Sequence, residues 1–146
     1  MKLHIGRVVL AGLAGTAAMT ALMLMSPLMG LPPMDIGRML GSMMGGNIAL
    51  GWVSHFMIGV VLAFAYALFF VSRIPGPGLA RGAIYGLLPW LTAQVVVMPL
   101  MGAGFFSGSV VAAVGSLIGH LVYGGVIGAV YGVSDELALA PRHVHA

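Results

Sequence analysis

Apolar residues gather in four long runs, at about residues 8–25, 48–71, 82–98 and 108–133. Each is close to the ~20 residues that carry a helix across a bilayer. The pattern therefore predicts an all-α membrane protein of four transmembrane helices. Ile74-Pro75-Gly76-Pro77-Gly78 separates the second run from the third and reads as a loop. Lys2 and Arg7 ahead of the first run resemble the start of a signal peptide. The run outlasts the ~7–15 apolar residues of a signal core and has a counterpart later in the chain, so it is read as a span of the fold.

Between the first two runs the period changes. Pro32-Pro33 stops the chain, and Asp35 is placed to cap a helix. Ile36, Met39, Leu40 and Met43 then recur at helical spacing, and Gly45-Gly46 ends the pattern. This predicts a short interfacial helix over about residues 34–44, lying across the outer mouth of the bundle. Pro89 is expected to kink the third span beside Trp90 and Gln94.

The runs also repeat. Pro27-Leu28-Met29-Gly30 closes the first and Pro99-Leu100-Met101-Gly102 the third, with Gly15 and Gly86 upstream. His55, Gly59 and Tyr66 in the second have the spacing of His120, Gly124 and Tyr131 in the fourth. A single membrane domain over 1–146 is expected, built from a duplicated two-helix hairpin (repeats about 8–71 and 82–133). Two helices per unit make it a parallel repeat about an axis normal to the membrane. That axis would set His55 opposite His120 at similar depth.

Steps of four through the fourth run read Gly108, Ala112, Ser116, His120, Gly124, Gly128. The second run gives Asn47, Gly51, His55, Gly59, Ala63, Ala67. Rows of small residues let helices approach closely where lipid provides no hydrophobic drive. In each row the histidine is the large polar exception.

Composition agrees with a lipid setting: 60% of residues are hydrophobic and 6% charged, against about a quarter charged in soluble domains. The basic residues stand singly, which gives no nucleic-acid surface. Zero cysteines exclude disulfides and thiolate sites. Lys2, Arg7, Arg73, Arg81 and Arg142 fall on one side of the predicted topology and Arg38 on the other. The positive-inside bias then puts both termini in the cytoplasm, with 30–47 and 102–107 outside.

A histidine in apolar surroundings needs partners for its ring nitrogens. His55 and His120 would bond to each other, to Asn47, Ser54, Gln94 or Ser116, or to water, and so lock the hairpins together. They could instead share a ligand. One such ligand is a b-type haem with His55 and His120 as axial ligands and Gly59 and Gly124 leaving room for the ring, an arrangement resembling membrane b-type cytochromes. The other is copper, held by the two histidines with Met39 and Met43, since thioethers and imidazoles suit Cu(I). Methionine is also a common apolar filler. Gln94 reads as packing glue. No acid or base other than histidine lies deep in a span, so a transporter would need an oligomer. No nucleophile elbow, zinc-protease helix, phosphate loop or carboxylate pair is present, and the chain reads as a non-enzyme.

The glycine- and threonine-rich first run (Gly12, Gly15, Thr16, Thr20), the stretch Met34-Asp35-Ile36-Gly37-Arg38-Met39-Leu40-Gly41-Ser42 and His55 with Gly59 ahead of Tyr66 together resemble a family of small bacterial four-span integral membrane proteins of unknown function. The resemblance implies membrane location and four spans, and no activity. The expectation is a multi-pass protein of the bacterial inner membrane. It would serve as a packing, accessory or assembly subunit in a homo-oligomer or larger complex, or bind a cofactor or metal through its histidines.

Overall fold

The computed structural model describes the backbone of residues 3–139 and the side chains of 3–132. Lys2 and Arg142 of the charge bias lie outside the described residues. All regular structure among the described residues is helical. Four helices are long and apolar enough to cross a membrane: Ile5–Met29, Ile48–Phe70, Gly78–Leu100 and Val110–Gly132. The last continues as helix to Leu139.

The first and third spans end in the same way. A proline-containing turn leads to a glycine in the left-handed region, Gly30 at φ 74° and Gly102 at φ 78°. Gly30 N donates to Pro27 O at 3.1 Å and Leu31 N to Ser26 O at 3.0 Å; Gly102 N donates to Pro99 O and Ala103 N to Met98 O, both at 3.0 Å. These bonds close the carbonyls a helix end leaves open.

The spans pack in the order second, first, fourth, third. Glycines set every seam. A Cβ on Gly12 would sit 2.7 Å from Val60 Cα, and one on Gly15 would meet Ile127 and Tyr123. A Cβ on Gly82 would lie 2.7 Å from Gly128 Cα and one on Gly124 2.9 Å from the Gly82 carbonyl carbon. The third and fourth spans thus touch backbone to backbone. At the ends of the spans, arginines close carbonyls: Arg7 Nε donates to Val130 O at 3.1 Å, and Arg81 donates to Val71 O at 2.8 Å and Gly76 O at 2.7 Å.

Contact between the second and third spans is sparse. It gathers at one end, where the Tyr66 and Phe70 rings lie 5.2 and 5.0 Å from that of Tyr85. Over the rest of their length these spans stand apart. A two-fold axis would pack the second on the third as closely as the first packs on the fourth, so the halves differ in packing.

The short helix forms over Ile36–Ser42, with Asp35 Oδ1 accepting from Arg38 N at 2.8 Å as its cap. It does not merely rest at the interface. Gly37 and Gly41 bring its backbone against Trp52, Asn47 and Gly51 of the second span, so it is docked there. Pro89 lies within the helical run Gly78–Thr92, and the helix departs from α geometry after it, in a π turn over Ala93–Val97. A second π turn occupies Tyr66–Phe70.

Candidate functional site

The gap between the second and third spans forms a half-open cavity of about 340 Å³. This lies at the lower end of the range for small-molecule sites. The first and fourth spans form its back, with Thr16 and Met19 from one and Ser116 and Tyr123 from the other. Ile36, Met39 and Leu40 of the short helix reach it from one end. Both sequence-predicted histidines line it, His55 from the second span and His120 from the fourth.

Each histidine is fixed by its surroundings. His120 Nδ1 lies 2.8 Å from the backbone oxygen of Ser116, one helical turn earlier. A carbonyl oxygen only accepts, so Nδ1 carries the proton and donates, and Nε2 is left with a lone pair. His55 Nε2 lies 3.1 Å from Thr20 Oγ1. The single Thr20 hydroxyl proton goes to Thr16 O at 2.7 Å, which leaves its oxygen to accept from His55 Nε2–H. His55 Nδ1 is therefore the lone-pair nitrogen. Neither remaining nitrogen has a hydrogen-bond partner among the described residues. The two imidazoles are held in opposite tautomers, and each keeps one acceptor.

Beside His120 runs a polar chain. Ser107 Oγ donates to Gln94 Oε1 at 2.9 Å, and Gln94 Nε2 donates to Ser116 Oγ at 3.2 Å. Gln94 is 1% exposed. The π turn over Ala93–Val97 inserts a residue into the helix register at Gln94, a distortion frequent at functional sites. Ser107 reaches Gln94 from a turn in which Phe106 and Ser107 both hold positive φ, 52° and 59°, a conformation costing roughly 1–2 kcal/mol per non-glycine residue. Two tyrosines tie the cavity walls. Tyr123 Oη donates to Gly59 O at 2.6 Å and Tyr85 Oη to Leu62 O at 2.9 Å.

The other sequence candidates divide. Gly59 borders the cavity but is packed on Thr16 and Gly12, and Gly124 is packed on Gly82 and Gly86. Neither opens space for a macrocycle. Haem ligation through Nε2 of both rings would also require His55 to release Thr20, so the residues present do not fit haem. Met39 shares the cavity wall with both histidines, joined by Met19, Met23, Met34 and Met98. Met43 is 62% exposed and is not part of that wall. Among the described residues no three His, Asp or Glu cluster as metal ligands. Asn47 and Ser54 serve elsewhere, Asn47 capping the second span through Leu50 N and Ser54 bonding Met44 Sδ. Thr20, the partner of His55, is not among the partners the sequence suggests. Its place one turn after Thr16 in the first span was the available signal.

Four apolar helices around an intramembrane cavity define a multi-pass integral membrane protein. The chain belongs to a family of unknown function, DUF6789, whose profile matches residues 4–140. No curated protein and no solved structure matches it.

Proposed function

We propose that this is a non-enzymatic binding or accessory protein of the bacterial inner membrane, with both termini cytoplasmic, whose cavity between the second and third spans holds a small ligand. One observation carries the reading: two imidazoles line a cavity of about 340 Å³, and each keeps one ring nitrogen for which the described residues offer no hydrogen-bond partner. Packing alone does not call for this. Histidines serving only as glue would be expected to spend both nitrogens on neighbouring helices, since an unsatisfied buried polar group costs free energy. A duplicated hairpin is supported by the matching caps at Gly30 and Gly102 and by the shared cavity of His55 and His120. The broad lipid-facing surface leaves room for a homo-oligomer or a larger complex.

Native mass spectrometry of the detergent-purified protein tests the reading. A small molecule should accompany the wild type and be lost in Ala93→Phe, which fills the cavity from the third span. Copies free of any adduct, with no gain in stability on adding apolar compounds, would sink it.

Copper is the second reading, because Met19, Met23, Met34, Met39 and Met98 share the wall with both imidazoles and these are soft neutral donors suited to Cu(I). Stoichiometric copper by elemental analysis, lost in His120→Leu, would establish it. Met43 belongs to neither reading.

A further inference from the structure

We infer that the cavity recognises a neutral, hydroxyl-bearing lipophile of the phenol class, its O–H donated to an imidazole and its body lying along the apolar wall. The inference rests on the ligand-binding reading above and specifies the ligand's chemistry.

The argument begins with hydrogens. His55 Nδ1 and His120 Nε2 are both acceptors, so the ligand must bring a donor. Among the described residues no carboxylate lines the cavity, so an ammonium donor would be buried there without a counter-charge, at high cost. The donor is therefore neutral. Gln94 narrows it further. Its Nε2 carries two protons and gives one to Ser116, while Ser116 also contacts His120. A second N–H thus remains on Gln94, which lines the same cavity as His120. A hydroxyl donates and accepts through one atom and can satisfy both groups. An ether or ketone only accepts, and a hydrocarbon does neither.

The walls fix the remainder of the molecule. They are apolar, with methionine sulfurs at one end and the rings of Phe70, Tyr85 and Tyr123 also on the lining. Both groups pack well on an aromatic ring. The sparse contact between the second and third spans leaves a route from the bilayer, so the ligand is one that dissolves in lipid.

The test compares 4-octylphenol with 4-octylanisole, which have the same shape, except that the anisole cannot donate. Each competes with a dibrominated 4-octylphenol that quenches Trp52, whose ring lies 6.0 Å from that of His55. The full-length protein is used in detergent, with concentrations expressed as mole fraction in the micelle. The phenol should displace the quencher at about tenfold lower concentration, the value of roughly one net hydrogen bond. His120→Leu should abolish that preference while apolar binding persists. Equal potency of the two probes on wild type overturns the inference and leaves the cavity reading intact, as does a phenol preference that survives both His120→Leu and His55→Leu. If no probe quenches Trp52 at all, the cavity reading fails along with it.

Discussion

Alanine at position 82 measures how much the bundle depends on helices touching through bare backbone. A Cβ on Gly82 would lie 2.7 Å from Gly128 Cα and 2.8 Å from Gly128 N, and closer still to the carbonyl oxygen of Gly124. Carbon atoms rest at about 3.5–4.0 Å, so the third and fourth spans would have to part by about 1 Å, and a gap of that size forfeits a quarter to a half of the attraction at each contact along the seam. Every obstructing atom is main chain, so no rotamer change relieves the clash. Overpacking of this kind costs about 1–3 kcal/mol. Alanine's better helix propensity offsets little, because helices persist in the membrane when they come apart. Two controls isolate the effect. A Cβ on Gly6 meets nothing within 4 Å, and one on Gly125 comes no nearer than 3.8 Å to Leu79. Unfolding in mixed micelles with increasing SDS should show Gly82→Ala destabilised by about 1–3 kcal/mol and both controls within about 0.5 kcal/mol of wild type. If Gly82→Ala unfolds together with Gly125→Ala, the reasoning from backbone contact is wrong.

Other consequences can be checked alongside. Tyr123→Phe removes the 2.6 Å bond to Gly59 O and should cost about 0.5–1.5 kcal/mol in the same assay; an unchanged unfolding midpoint would mean that the bond contributes nothing. A double-mutant cycle of Thr20→Val with His55→Leu should return a coupling of roughly 0.6 kcal/mol, typical of hydrogen bonds between membrane helices; zero coupling would mean that the 3.1 Å contact does not form. Because the chain has no cysteine, Gly76→Cys and Ala103→Cys each introduce a unique thiol. With cytoplasmic termini, a membrane-impermeant maleimide added to intact cells should label position 103 and spare position 76. The reverse pattern would invert the topology.

Hydropathy located the four spans closely: the runs at about 8–25 and 48–71 correspond to Ile5–Met29 and Ile48–Phe70. Lipid exposure and length leave little else such segments can be. Local chemistry also read well. Asp35 caps the short helix and Gly30 and Gly102 close their spans, because a cap depends only on residues within a few positions. Side-chain pairing across helices was harder to read. Ser116 stands in the pool of partners the sequence offers both histidines, yet His120 meets its backbone oxygen within one helix, and Thr20, the partner of His55, lies 35 residues off on the first span and outside that pool. The π turns were invisible, since an inserted residue in a helix leaves no period of its own. The sequence likewise suggested a symmetric bundle with the short helix at its surface. It does not record that Gly37 and Gly41 dock that helix on the second span, or that the second and third spans stand apart.

The packing order, second to first to fourth to third, makes the bundle an open ring with one slit. Its seams are glycine contacts that resist separation, so the width of the slit depends on small rotations accumulated over three joints. At one edge the slit is pinned by the mutually tilted rings of Tyr66, Phe70 and Tyr85. Anything that flexes the ring should therefore open the slit as a wedge, narrow at the aromatic pin and widest towards the short helix. The protein would then behave as a spring clip in the plane of the membrane, its grip set by bilayer tension and thickness as well as by what lies inside.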